Sequence, residues 1–261
     1  LTLSQAVEQM GVACLGTHAQ KFDYFPILIK LIDAKENLSV QVHPDDAYAR
    51  RVEHGFGKTE AWYILDAQEG AELIYGFRKE ISREEFQRRI VDNTLLEVVH
   101  RVPVKKGDLF FIEAGTLHAI GKGILLAEVQ QNSNTTYRVY DYGRVDQNGK
   151  PRELHVDKAV DVTRCAPPAY SSKPQGEPQL LDGYTKTLLV SCDLFIVHVL
   201  DISSQAVLMA DESSFVSVIA LEGAGALTCC GQTLPFRKGE SIFLPAGSGA
   251  CRIEGVLTVL E

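Results

Sequence analysis

Two ten-residue segments of this chain resemble each other. Lys106-Gly107-Asp108-Leu109-Phe110-Phe111-Ile112-Glu113-Ala114-Gly115 lines up with Lys238-Gly239-Glu240-Ser241-Ile242-Phe243-Leu244-Pro245-Ala246-Gly247, an offset of 132 residues (106 to 238). Upstream, Glu69-Gly70-Ala71 matches Glu222-Gly223-Ala224 at an offset of 153 (69 to 222). The two offsets differ by about one helical insertion in the first copy. Internal self-similarity built on glycine turns and short apolar runs restricts the fold to a duplicated all-β unit.

The rest of the chain fits that frame. Runs rich in Ile, Val, Leu, Phe and Tyr, bounded by Gly, Asn and Asp turns, cover residues 25–33, 38–43, 61–66, 71–77, 109–113 and 124–130 and are expected to be strands. Ile81, Phe86, Ile90 and Leu95 among Arg, Glu and Gln mark an amphipathic helix over 81–96, and another is expected across 152–163. Thr2-Leu3-Ser4-Gln5 has the form of a capping box ahead of Ala6, Val7 and Met10, so a short covering helix opens the chain. Pro167, Pro168, Pro174 and Pro178, with Ser171, Ser172 and Gly176, read as an extended connection. The expected division is a catalytic domain at 1–164 with helical insertions, a linker at 165–179, and a second β domain at 180–261.

Composition excludes several classes of partner. The 26 Lys and Arg against 34 Asp and Glu give a net charge of −8, the wrong sign for a protein that lives on nucleic acid or anionic lipid. No run reaches the ~18 apolar residues of a membrane helix. A small-molecule partner is expected. The six cysteines form no Cys-x-x-Cys pair and no charged-then-apolar leader is present, so free thiols and a cytoplasmic location are expected. The oligomeric state is not legible. The chain begins at Leu1, which implies a longer natural protein.

Strand alternation places Gln41 and His43 on one face and Val40 and Val42 on the other. Glu60 shares a face with Trp62 and Ile64, whose bulk implies a closed interior, and a carboxylate there needs a partner. His118 follows the Gly115-Thr116-Leu117 turn. Two histidines, one carboxylate and an amide oxygen suit Zn²⁺ or a similar divalent ion. A single histidine at a strand end is more often merely hydrogen-bonded, but here the duplication bears on the question. At the two offsets His118 falls on Ala250 and Glu60 on Ser213, so the scaffold recurs and the candidate ligands do not. One working barrel and one degenerate copy are expected, with one metal per chain.

The segments Gln41-Val42-His43-Pro44-Asp45-Asp46, Gly57-Lys58-Thr59-Glu60-Ala61-Trp62-Tyr63, Ala114-Gly115-Thr116-Leu117-His118-Ala119-Ile120-Gly121 and Glu128-Val129-Gln130-Gln131-Asn132-Ser133-Asn134-Thr135-Thr136-Tyr137-Arg138 closely resemble type I mannose-6-phosphate isomerases, in their short bacterial form. The resemblance runs from about residue 25 to 163, with a weaker echo in the C-terminal part. It implies a mainly β protein of two cupin-like jelly-roll barrels, and a zinc-dependent aldose–ketose isomerase that passes through an enediol. The implied zinc ligands are Gln41, His43, Glu60 and His118. Lys58, Glu128 and Arg138 are the implied catalytic residues, and Lys58, Arg138 and Arg144 the expected basic patch for the phosphate of a hexose phosphate. Glu113 stands where many cupins carry Pro, and the family's N-terminal Trp-Gly-Gly segment is absent. A sugar-phosphate sensor that has lost catalysis is the competing reading. An iron-dependent cupin oxygenase is disfavoured, because the usual His-x-His pair is not seen.

Overall fold

A computed structural model describes residues 2–261 and separates them into two compact units, one spanning Ile27–Lys173 and the other joining the residues up to Pro26 with Pro174–Glu261. The opening capping box forms as the sequence implies. Thr2 Oγ1 accepts from Gln5 N, Gln5 Oε1 accepts from Thr2 N, and helix α1 (Leu3–Met10) follows. None of its residues is fully buried, and Ala6 and Val7 are half-buried. The residues before Ile27 do not join the first domain. Thr17 N donates to Glu212 O, Phe215 N to Leu15 O, and Ala246 N to Cys14 O, which ties the segment to connections between the C-terminal strands. Gly16 permits this close approach: at φ +85°, a Cβ there would stand 2.5 Å from Ser213 O.

The first unit is two antiparallel sheets. One has the order β1 (Ile27–Ala34), β8 (Ile124–Gln131), β3 (Glu60–Ala67), β6 (Leu109–Ile112). The other runs β5 (Val99–Pro103), β4 (Glu72–Phe77), β7 (His118–Ala119), β2 (Val40–Val42), β9 (Tyr137–Tyr140). This is a jelly-roll layout. Helices α2 (Asp46–Val52), α3 (Arg83–Val91) and α4 (Val156–Val162) are inserted between strands. Strands β5 and β9 are additional to the runs the sequence marks as strands.

Alternation along β2 sets the whole arrangement. Val40 and Val42 pack on one side with Phe77, Phe86, Ile90 and Ala159, so α3 and α4 cover that face of the five-stranded sheet. On the other side, Trp62, Ile64, Leu73, Phe110 and Leu126 form an apolar core, which leaves Gln41 and His43 facing the interior. The expected helix over 81–96 is interrupted. Its N-cap is Ser82, and it ends where Asn93 takes φ +57°, a left-handed value that Asn tolerates better than most residues, before a single 3₁₀ turn at Leu95–Glu97.

In the second unit, one eight-stranded sheet has the order β10 (Gln179–Leu181), β11 (Tyr184–Ser191), β12 (Ile196–Ile202), β17 (Gly249–Leu260), β14 (Val216–Cys229), β15 (Gln232–Arg237). Strand β13 (Gln205–Ala210) pairs with β17, and β16 (Ser241–Leu244) with β14. Leu208, Val218, Phe236, Ile253 and Val259 make its core. The duplicated decapeptides have matching local structure. Gly107 and Gly239 have φ +90° and +86°, and Gly115 and Gly247 +86° and +80°. Asp108 N donates to Lys105 O as Glu240 N does to Arg237 O.

The proline-rich connection is pinned along its length, since Ile81 N donates to Cys165 O, Leu109 N to Ser172 O, and Gln175 N to Leu189 O. One expectation changes here. Cys229 and Cys251 form a disulfide, while Cys14, Cys165, Cys192 and Cys230 are free. Neighbouring strands β14 and β17 pair Thr228 with Arg252, which brings Cys229 opposite Cys251 with 4.5 Å between Cα atoms. Among the described residues no helix is long and apolar enough to cross a membrane.

Candidate metal centre

Three strands bring the site together. In the ladder Gln41 pairs with His118 on one side and with Arg138 on the other, so these three side chains lie in a row on one face of the five-stranded sheet. His43 lies just beyond β2, and its carbonyl accepts from Gly115 N at 2.8 Å, which ties it to the turn that launches His118. Opposite, Glu60 opens β3 beside Gln130 of β8. Lys58 enters through a tight passage. Its amide donates to Pro44 O, and Gly57 lies so close to the start of α2 that a Cβ would meet Asp46 N at 2.5 Å. Asp45 caps α2 by accepting from Tyr48 N, and Asp46 Oδ1 accepts from Gly57 N.

His43, Glu60 and His118 are all buried, and one ligand atom from each lies within 4.8 Å of the others. Each histidine has its Nδ1 against a backbone carbonyl, His43 with Thr135 O at 2.9 Å and His118 with Thr116 O at 2.8 Å. A carbonyl can only accept, so Nδ1 carries the proton and the Nε2 lone pairs are left free to face Glu60. His43 Nε2 is 3.4 Å from Glu60 Oε1, and His118 Nε2 is 3.8 Å from Oε2. Burial lowers the pKa of both imidazoles. That of His118, with His43 adding to the effect, falls to about 3, so both rings are neutral ligands near neutral pH. Burial works against a charged Glu60, yet its carboxyl is held well below its ordinary range, and with both rings neutral the cation beside it is Lys58. Two neutral Nε2 atoms, a buried carboxylate and the Gln41 amide, whose nitrogen lies 3.4 Å from His118 Nε2, fit a divalent cation. A half-turn of the amide presents its oxygen instead.

Lys58 Nζ sits 2.5 Å from Glu60 Oε1 and 3.2 Å from His43 Nε2. Glu128 faces the same interior. Trp62 Nε1 donates to Glu60 Oε2 at 3.1 Å and to Glu128 Oε2 at 3.0 Å, linking the two carboxylates. Lys30, which the sequence reading passed over, holds Glu128 Oε1 at 2.8 Å and Gln130 Oε1 at 2.5 Å. Its signal was present: one lysine within Ile27-Leu28-Ile29-Lys30-Leu31-Ile32 is a charge in an apolar strand.

Arg138 and Arg144 behave differently. Arg138 donates from Nη1 to Glu153 O, while its buried Nε has no hydrogen-bond partner among the described residues. Arg144 is tied to Asp141 and to Asn37 O, and its contacts do not include the histidines or Glu60. Arg152 joins it on Asp141, with Nε to Oδ2 at 2.7 Å. One buried carboxylate therefore holds two arginines beside a third. Burial opposes a charged Asp141, yet the bonds from Arg152 and Arg144 win and keep its pKa below the ordinary carboxylate value. A carboxyl depressed in the folded state adds stability above its unfolded pKa of about 3.9 that disappears as pH falls through the folded value. Asp141→Asn is thus expected to lower the melting temperature at pH 7, and the gap from the parent should close on titration below about pH 4.

With this geometry established, known proteins supply a context. The family model "Phosphomannose isomerase type I, catalytic domain" matches residues 1–75, and "Mannose-6-phosphate isomerase, cupin domain" matches residues 185–261. The chain is 42% identical over 234 residues to mannose-6-phosphate isomerase ManA of Bacillus subtilis (strain 168), covering 89% of this chain and 73% of that protein. It is 40% identical over 240 residues to mannose-6-phosphate isomerase of Streptococcus mutans, covering 92% and 74%. The crystal structure of the mannose 6-phosphate isomerase from Bacillus subtilis superposes with a TM-score of 0.88 at 39% identity, over 97% of this chain and 79% of that one. Identity of this degree across most of both partners, in the same mainly β architecture, means that the chain belongs to the type I mannose-6-phosphate isomerase family.

Proposed function

We propose that the protein interconverts mannose 6-phosphate and fructose 6-phosphate through an enediol, with one Zn²⁺ held by Gln41, His43, Glu60 and His118. The observation that carries this reading is the convergence of two buried neutral Nε2 atoms and the Glu60 carboxylate on one point. A buried charge without function is costly, and so is a pair of histidines left facing it. When bound, the ion supplies Lewis-acid polarisation of the sugar oxygens.

The chain's own residues do the rest. Isomerisation moves a proton from C2 to C1 while negative charge grows on the carbonyl oxygen. Lys58 and Glu128 are the interior groups able to carry that proton, each anchored in place, Lys58 by Glu60 and Glu128 by Lys30 and Trp62. Arg138, next to Gln41 in the ladder, offers an unused Nε–H to the developing enediolate or to the phosphate. Arg144 and Arg152, paired with Asp141 close to Arg138, supply local positive charge for a dianionic substrate against the overall charge of −8.

A coupled assay with mannose 6-phosphate tests the reading. Turnover is expected, with loss on chelation and recovery at one zinc per chain. A metal-replete protein that binds the sugar phosphate without converting it would favour the sensor reading instead. Lys58→Met is expected to keep the metal while its pH–rate profile loses one limb. A profile that keeps both limbs would leave Glu128 as the proton carrier.

A further inference from the structure

The three cysteines at the end of the β14–β15 hairpin have no part in the isomerase site. Cys229 is bonded to Cys251 across the strand pair, and the free sulfur of Cys230 stands 3.9 Å from that of Cys229. Cys230 is exposed, whereas Cys251 is only 1% exposed. All three line a surface cavity of about 390 Å³ together with Arg252 and Glu254, a size in the range of small-ligand pockets. The backbone is unusual as well. Cys230 and Gly231 form the hairpin turn with φ +50° and +74°, and the first of these positions is normally filled by Asn, Asp or Gly. A cysteine there holds its thiol in a conformation that its own backbone disfavours.

We propose that this cluster is a thiol–disulfide exchange site for a low-molecular-weight thiol, and that Cys230 is the residue that ends up carrying it. The thiolate of the small molecule attacks Sγ of Cys229. A bond forms between those sulfurs, the Cys229–Cys251 bond breaks, and its electron pair leaves on Cys251, which takes up the proton the incoming thiol has shed. Left there, the adduct would be lost, because Cys251 lies directly opposite and closes the disulfide again. Cys230 prevents this. Its thiolate attacks the sulfur of the small molecule, forming a mixed disulfide on Cys230 and releasing Cys229 as the thiol, protonated by the hydrogen that Cys230 gave up. One protein disulfide and two thiols are consumed, and one mixed disulfide and two thiols result. No external oxidant is required.

The test uses the full chain with the Cys229–Cys251 bond formed. It is mixed with reduced glutathione, quenched in acid and alkylated, and its peptides are mapped by mass spectrometry. The expected product carries glutathione on Cys230, with Cys229 and Cys251 alkylated. In Cys230→Ser the opened form is expected to accumulate at least ~10-fold less, since reclosure by Cys251 then goes unopposed. Cys230→Asn, which suits the positive φ, is expected to lose the opened form equally while both variants keep the parent's isomerase turnover, so that the effect belongs to the thiol and not to the turn. Glutathione found on Cys229, Cys14, Cys165 or Cys192 in place of Cys230 overturns the proposal. So does equal opening in parent and variants, or a chain in which Cys229 and Cys251 cannot be oxidised to a disulfide.

Discussion

His118→Ala is expected to lose bound metal and isomerase turnover together. His118 is fully buried, its Nδ1–H is spent on Thr116 O, and its Nε2 faces Glu60 at 3.8 Å, so the side chain's remaining capacity is directed at the proposed ion. Its removal leaves His43, Glu60 and Gln41, a set with one fewer neutral nitrogen. A metal acting as Lewis acid supplies several kcal/mol of transition-state stabilisation, and at 1.36 kcal/mol per decade its loss should lower kcat by roughly 10³-fold or more. Elemental analysis and the coupled assay read the two effects. His118→Leu keeps more of the volume without a donor atom and separates a lost ligand from a collapsed interior, because Trp62 packs edge-on against this ring with centroids 5.2 Å apart. A variant that retains one metal per chain and near-parental turnover would remove His118 from the site.

Arg138→Ala is expected to leave the metal and the fold in place while lowering kcat/KM by at least ~10²-fold, the usual cost of deleting one preformed donor to a developing oxyanion. The partition of that loss is informative. If the guanidinium serves the enediolate, kcat falls and KM stays near the parental value. If it serves the phosphate, KM rises instead, and inorganic phosphate inhibits the variant less than the parent. Near-parental values of both constants would assign Arg138 to structure alone, through its bond to Glu153 O.

Much of the site was legible because it follows from local rules. Period-two alternation put Gln41 and His43 on one face of a strand whose other face, Val40 and Val42, is core. The same rule aligned Glu60 with Trp62. A capping box, a helix within 81–96 and the glycine-flanked repeat were also visible, since each depends on residues a few positions apart. Membership of the family was legible through four ordered motifs, which sample distant parts of one chain at once.

What local rules cannot reach is register between segments far apart in sequence. Lys30 meets Glu128 because β1 and β8 pair in one register out of several, 98 residues apart; a shift by one residue would turn Lys30 to the opposite face. Arg152 joins Arg144 on Asp141 only after the chain returns from β9, and Cys229 meets Cys251 only because β14 and β17 are neighbours in the sheet. The residues before Ile27 are likewise joined to sequence far away, since their backbone donors and acceptors find partners at 212, 213, 215 and 246, in connections between the C-terminal strands. Sequence by itself determined which residues face inward and which chemistry they bring. Tertiary structure decided which of them touch, because strand pairing over long separations is selected by the burial of whole sheets and not by any short stretch of residues.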